Sequence, residues 1–309
     1  MNKNKILFIV GPTASGKSQL ALFAAKQLTG SIISADSMQV YQEMDICTAK
    51  PSSEEQELIP HYFVDIIPPT KDYSSFDWYH QSLTYIEEII NQNRLPIVVG
   101  GTGFYIKNLI DGISPEISSD EGVRSELMAT AESKGWNHLY QELKKKDPES
   151  AKIIHLNDHK RIIRALEIVQ ITGKPRTDLN SGKITLLDKG YSFKIIGLRQ
   201  DRETLYNRIN DRVDQMIADG LVEEVEKLSK KKLSLTAAQC LSYHEILDYI
   251  EGKCSLEKAQ DELKKNTRHF AKRQLTWFNA ENRIEWIDVD GVSSSDIYVQ
   301  MKNKLKDWV

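Results

Sequence analysis

The chain has 309 residues, of which 40% are hydrophobic, with a formal net charge of -3 and a pI near 6.2. That length and composition can bury a core without disulfide or metal staples, and they predict one main domain plus a smaller appended or inserted one. The mild acidity excludes a protein that coats nucleic acid with its whole surface, while leaving room for a local basic groove.

The first apolar run, residues 6–10, is too short for a signal-peptide core, and no segment approaches the ~20 apolar residues that span a bilayer. A cytoplasmic chain with no membrane partner is expected. Further apolar runs follow at residues 31–35, 62–66, 96–99 and 194–198, each leading into a polar turn and a helical pattern. Fully apolar strands alternating with helices predict an α/β protein with a doubly wound parallel sheet. The stretch between residues 99 and 194 exceeds any crossover and reads as helical and charged, so an all-helical insertion is expected at 113–190, with the core at 1–112 and 191–309. Its clearest helix starts at Asn157 or Asp158, carries Ile162, Leu166 and Val169 on its apolar side, and stops at Gly173 and Pro175. Lys160, Arg161 and Arg164 fall on the other side. A second basic helix is expected from about residue 257 to 278, with Trp277 and Phe278 read as core. The three cysteines, Cys47, Cys240 and Cys254, are widely spaced, form no CxxC pair, and read as reduced and structural.

Gly11, Pro12, Thr13, Ala14, Ser15, Gly16, Lys17 and Ser18 match GxxxxGK[ST] in full, between an apolar strand and a helical run beginning near Gln19. Its glycines let backbone N–H groups curl round a phosphate or pyrophosphate, Lys17 adds a full charge, and Ser18 can face Mg²⁺. The sheet is therefore expected to be P-loop NTPase-like. Kinases, ATPases and GTPases all share this loop. No Asn-Lys-x-Asp guanine reader is present, and Asp36 and Asp65 stand as strand-end carboxylates. Gly100, Gly101, Thr102 and Gly103 suit either close substrate approach or a tight turn. Arg208 and Arg212, at i and i+4, could clamp a leaving phosphate or form a solvated face. Lys264, Lys265, Arg268, Lys272 and Arg273, like the basic side of the insertion helix, fit either an RNA backbone track or a solvated surface. The seven histidines form no metal spacing.

Several segments together are more specific than the loop alone. The P-loop octet, Ser34-Ala-Asp36-Ser37-Met38-Gln39-Val-Tyr, Thr48-Ala-Lys-Pro51, Val99-Gly-Gly-Thr102-Gly, Asn157-Asp-x-x-Arg161-x-x-Arg164 and Thr267-Arg-x-x-Ala-Lys-Arg-Gln-x-Thr-Trp277 resemble the bacterial tRNA dimethylallyltransferases, or tRNA isopentenyltransferases. The resemblance implies transfer of a dimethylallyl group from dimethylallyl diphosphate to N6 of adenosine at position 37 of tRNAs reading codons that begin with U. It implies that the P-loop holds the diphosphate of the prenyl donor, with Mg²⁺ reached by Ser18 through the diphosphate. Asp36 would be general base, and Lys17, Thr13 and Arg212 would offset charge on the leaving group. The resemblance places tRNA contacts at Asp36, Ser37, Met38 and Gln39, at Thr102 and Arg124, at Lys160, Arg161, Ile162, Ile163 and Arg164, and at Gln239, Cys240, Leu241, Ser242, Tyr243 and His244. The partner would be the anticodon stem-loop, bound by a monomer. The chain departs from the family pattern in having Cys47 for Gly, Ser242-Tyr243 for Gly-Tyr, and His244 for Lys or Arg. The competing readings are an ATP-dependent small-molecule kinase and a non-catalytic RNA-binding protein.

Overall fold

The computed structural model describes residues 4–114, 117–180, 182–306 and 308. The elements alternate as expected at first: β1 (Lys5–Val10), α1 (Lys17–Gln27), β2 (Gly30–Ser34), α2 (Ser53–Leu58), β3 (His61–Tyr62), α3 (Ser75–Asn91), β4 (Leu95–Gly100) and α4 (Gly103–Asp111). Four helices follow without a strand, α5 (Glu121–Lys134), α6 (Trp136–Lys146), α7 (Pro148–Ile153) and α8 (His159–Thr172). The chain then returns through β5 (Ser192–Arg199), α9 (Arg202–Ala218), α10 (Leu221–Ser229), α11 (Leu241–Ile250), α12 (Leu256–Asn279), β6 (Ile284–Asp288) and α13 (Ser294–Leu305).

The sheet has six strands in the order β3-β2-β4-β1-β5-β6, all parallel. The register sets Ile9 opposite Val99 and Ile196, so strands buried on both faces account for the unbroken apolar runs. On one face Leu20 and Ala24 of α1 and Met301 and Leu305 of α13 join Leu7, Ile9, Ile97 and Ile196 in a single core. On the other, Trp78 is fully buried, stacks on Tyr105 at 4.8 Å and donates its indole N–H to the Ser34 carbonyl at 2.9 Å. Each such large side chain contributes about 1.5–3 kcal/mol of transfer free energy. With β4 between β1 and β2, the turns that follow β1, β2 and β4 lie side by side at the carboxyl edge of the sheet, where ligands of open α/β sheets bind.

Two strand expectations need correction. Of the run at 62–66 only Tyr62 belongs to the two-residue β3, because Phe63 (φ 66°) and Asp65 (φ 55°) turn into the left-handed region and end the pairing. Strand β6 had no counterpart among the predicted runs.

The chain divides into two compact units, one formed by Met1–Ile110 with Leu186–Val309, the other by Asp111–Thr185. The helical insertion, expected at 113–190, thus ends earlier. Leu186 is fully buried and donates its N–H to the Ile110 carbonyl at 3.0 Å, which binds it to the sheet unit. Within the helical unit, Leu127, Leu139, Leu143, Ile162 and Leu166 form the core. Asp158 caps α8, accepting from the Arg161 N–H, and Gly173 ends it in the left-handed conformation.

Candidate active site

The P-loop turns sharply because Gly11, Ala14 and Gly16 take φ values of 151°, 63° and 88°. A Cβ on Gly11 would stand 2.7 Å from the Leu198 carbonyl oxygen, so only glycine lets the loop lie against β5. Gly16 is the N-cap of α1 and has no side chain to satisfy the first N–H groups, leaving them for an anion. Lys17 Nζ donates to the Pro12 carbonyl at 2.7 Å. Burial, reinforced by Arg212 and opposed by Asp36, lowers the Lys17 pKa to about 7. A bound anion beside Lys17 favours its charged form.

Two chambers meet here. One, of about 150 Å³, is lined by Thr13, Lys17, Ser18, Asp36, Gly101 and Arg212. The other, of about 160 Å³, is lined by Ser37, Met38, Thr102, Gln239, Cys240 and Ser242 among others. Thr13, Asp36, Thr48, Arg212 and Phe270 border both. Asp36 is fixed by accepting the Met38 N–H at 2.8 Å through Oδ1, and Thr102 Oγ1 accepts the Ser37 N–H at 3.3 Å. Burial lowers the Arg212 pKa and Asp36 opposes it. The junction thus brings one carboxylate, Asp36, and one guanidinium, Arg212, to the border of both chambers, with Lys17 on the P-loop side.

Two supports escaped the reading of the sequence. Gln274 of α12 is buried, accepts the Thr13 N–H at 2.8 Å and donates to the Gly101 carbonyl at 3.1 Å, tying the P-loop to the turn after β4. Its signal was a polar residue in the apolar stripe of α12 that includes Leu263, Ala271 and Phe278. Glu224 of α10 accepts three successive backbone N–H groups, from Asp45, Ile46 and Cys47, at 3.0, 2.8 and 2.9 Å. Gln39 holds the next residues, donating to the Ala49 carbonyl at 3.2 Å while accepting from Ser34. The small residues after β4 are required by close approach: a Cβ on Gly100 would meet the Ala35 carbonyl oxygen at 2.1 Å, and one on Gly103 would meet the Trp277 ring at 2.0 Å.

The other expected site residues divide. Arg208 leaves Arg212, facing outward to Gln200 Oε1 at 2.8 Å, because it stands one turn nearer the start of α9 than the chamber reaches. Asp65 pairs with Lys50, which also binds Asp45 at 2.7 Å, so it is a loop anchor. Trp277, read as core, is 38% exposed, while Phe278 is buried. Cys240, Ser242 and Tyr243 are buried, with Gln239 and His244 exposed on either side and Leu241 half-buried. In the helical unit Lys160 and Arg161 are exposed on the first turn of α8. Ile162 and Ile163, expected among the tRNA contacts, instead pack into that unit's core, because the apolar stripe of an amphipathic helix is wide enough to take both while Lys160 and Arg161 fall outside it. Arg124 and Arg164 close on the buried Glu167, at 2.9 and 2.6 Å, and Arg164 also donates to the Ile117 carbonyl at 2.6 Å, so their first role is to hold the unit together.

A family model described as IPP transferase matches residues 39–281. The chain belongs to the IPP transferase family. The tRNA dimethylallyltransferase of Thermoanaerobacter sp. (strain X514) is 44% identical over 305 residues, covering 97% of this chain and 96% of the relative. That of Geobacter sulfurreducens is 41% identical over 303 residues, with 97% of each covered. Among solved structures, the tRNA isopentenylpyrophosphate transferase of Bacillus halodurans is similar with a TM-score of 0.71 at 40% identity, covering 98% of this chain and 97% of its own. A eukaryotic dimethylallyltransferase captured acting on tRNA is similar with a TM-score of 0.80 at 29% identity, covering 98% of this chain and 80% of its own. The resemblance read from the motifs is therefore borne out, as is the parallel α/β fold with a P-loop. Among the described residues of this IPP transferase, no helix is long and apolar enough to cross a membrane.

Proposed function

We propose that the chain transfers the dimethylallyl group from dimethylallyl diphosphate to N6 of adenosine at position 37 in tRNAs reading U-initial codons, releasing diphosphate. The observation that carries this reading is the place of Asp36, at the junction of a P-loop-lined chamber and a second chamber, with Arg212 beside it bordering both and Lys17 on the P-loop side. A donor seated with its diphosphate on the P-loop directs its C1 to the junction, and an adenine entering the second chamber directs N6 to the same point. The C1–O bond breaks as the N6–C1 bond forms, and the N6 proton passes to the Asp36 carboxylate. Lys17 and Arg212 meet the charge that develops on the departing diphosphate. The base must leave its stack to reach the chamber, as chemistry on a nucleobase requires. Exposed Lys160 and Arg161, with Gln239 and His244, are the groups we assign to the anticodon stem-loop.

Mg²⁺ fits this site as a companion of the diphosphate. Ser18 offers an oxygen donor in the chamber, with the diphosphate supplying the others, while no cluster of three His, Cys, Asp or Glu exists among the described residues to hold a metal unaided. When bound, the ion would add positive charge at the leaving group.

The test incubates the protein with Mg²⁺, unmodified tRNA whose anticodon ends in A, and radiolabelled dimethylallyl diphosphate, beside an ATP-only control. Label in tRNA is the expected result. ATP consumption without label in tRNA would favour the small-molecule kinase instead.

A further inference from the structure

Cys47 and Cys240, although 193 positions apart, meet at the wall of the second chamber. Cys240 Sγ lies 3.8 Å from the Cys47 carbonyl oxygen and 3.5 Å from Ser242 Oγ, which donates to the same carbonyl at 3.2 Å. Both cysteines line the same wall of that chamber, with the Cys240 thiol directed at the Cys47 backbone. Cys47 is 8% exposed and Cys240 4%, both towards a chamber of about 160 Å³ that a small reagent can enter. Their backbones belong to different parts of the wall, the loop gripped by Glu224 and the segment that leads into α11.

We propose that Cys47 and Cys240 form a reversible dithiol–disulfide site, oxidised by hydroperoxides that enter the chamber, whose closure staples the Cys47 loop to the start of α11 and blocks the nucleotide side of the site. The first step is attack by the Cys240 sulfur on the O–O bond of the hydroperoxide. It gives a Cys240 sulfenic acid and releases the alcohol, or water when the oxidant is hydrogen peroxide. The Cys47 sulfur then displaces hydroxide from the sulfenic sulfur. The S–S bond forms, the two thiol hydrogens depart in the released alcohol and water, and two electrons pass to the peroxide. The contact between the thiols favours this order. The Cys47 hydrogen bond holds the Cys240 thiol below its ordinary pKa against the pull of burial, while the same contact and burial raise Cys47. Closing to the ~2.05 Å bond asks the Cys47 side chain and its loop to shift towards the Cys240 sulfur, which lies 3.8 Å from the Cys47 carbonyl oxygen. Ser242 then loses its thiol partner, and the loop bearing Thr48, which borders both chambers, moves with Cys47.

The loss of transfer rests on the proposed function, but the bond itself does not, so the two are read separately. The full-length chain is treated with hydrogen peroxide, alkylated, digested and mapped by mass spectrometry, with Cys254 as internal control. The expected product joins the Cys47 and Cys240 peptides, leaves Cys254 alkylated, and disappears on treatment with dithiothreitol. The Cys47→Gly chain should give no such product and should instead accumulate Cys240 sulfinic acid. In parallel, prenyl transfer by the peroxide-treated chain should fall by about 10²-fold, the scale of a misplaced reacting group, and return on reduction. Separate oxidation of the two cysteines without a cross-link overturns the proposal. A cross-linked chain with undiminished transfer overturns the blockade. A reduced chain with no transfer, yet a reversible cross-link, counts against the proposed function and for the thiol site.

Discussion

Gln274 holds Thr13 in place by accepting its backbone N–H at 2.8 Å, and with its other side-chain atom it grips Gly101. One amide therefore sets the distance between the P-loop and the turn after β4. Replacing it by leucine leaves a buried N–H and a buried carbonyl unsatisfied, at a cost of about 1–3 kcal/mol for each group. Gln274→Leu is expected to raise KM for dimethylallyl diphosphate more than tenfold, with a lower thermal midpoint. Steady-state kinetics with varied donor concentration check the first effect and thermal unfolding the second.

Asp36→Asn retains the hydrogen bond to the Met38 N–H but cannot take a proton from N6. The rate of transfer should fall roughly 10²–10⁴-fold, as expected for loss of a general base, while tRNA affinity changes little. Single-turnover transfer and filter binding of the same tRNA separate these outcomes. A near-normal rate would remove Asp36 from the mechanism.

Lys17 makes donor binding depend on pH. With a pKa lowered to about 7 in the free site, it is increasingly neutral above that point, and a bound diphosphate raises its pKa again. Binding above pH 7 should take up a proton, and affinity should fall as pH rises. Calorimetry in buffers of differing ionisation enthalpy measures the uptake. Stability carries the opposite sign from a favourable ion pair. The folded pKa lies below the unfolded value of 10.5, so the unfolded chain binds more protons between about 7 and 10.5, and stability from this group rises with pH across that window. Lys17→Met should therefore stabilise the chain most at and below pH 7, with the advantage shrinking towards pH 10.5.

Glu167 is buried, and its carboxylate receives Arg124 at 2.9 Å, Arg164 at 2.6 Å and the Asp120 N–H at 2.8 Å. Burial pushes its pKa up, but the hydrogen bond from Arg164, the backbone N–H of Asp120 and the charges of Arg164 and Arg124 outweigh it and leave the pKa lowered. The stabilisation is present above the unfolded value of 4.5 and lost as pH falls through the folded one. Glu167→Ala leaves two arginines facing a vacated buried position, and breaking such a cluster costs about 3–5 kcal/mol. Hydrogen exchange should quicken in α5 and α8 of that variant, with β1, β4 and β5 unaffected.

What could be read from the residues follows how locally each feature is encoded. The P-loop occupies eight consecutive positions and dictates its own geometry, so its place after β1 was legible at once. Asp36 was legible as a strand-end carboxylate, but its role came through the resemblance. Strand β6 was hidden because only Ile284 and Ile287 of its five residues are buried, too few to make an apolar run at the edge of a sheet. Arg208 and Arg212 share a spacing but not a neighbour, and spacing cannot tell which turn of a helix ends at a cavity. Gln274 and Glu224 act on backbone from 261 and about 180 positions away, a distance across which no local pattern carries information.

The hydrogen bond from Leu186 to Ile110 brings both ends of the helical insertion to one point of the sheet unit. During synthesis, β1 to β4 emerge first and can assemble as four of the six strands, leaving the flank of β1 that will receive β5 bare. The next residues off the ribosome are those of the insertion, which have a hydrophobic core of their own and can fold while that flank waits. Only with α9 and α12 does the nascent chain acquire Arg212 and Gln274, so the carboxyl edge of the sheet matures last.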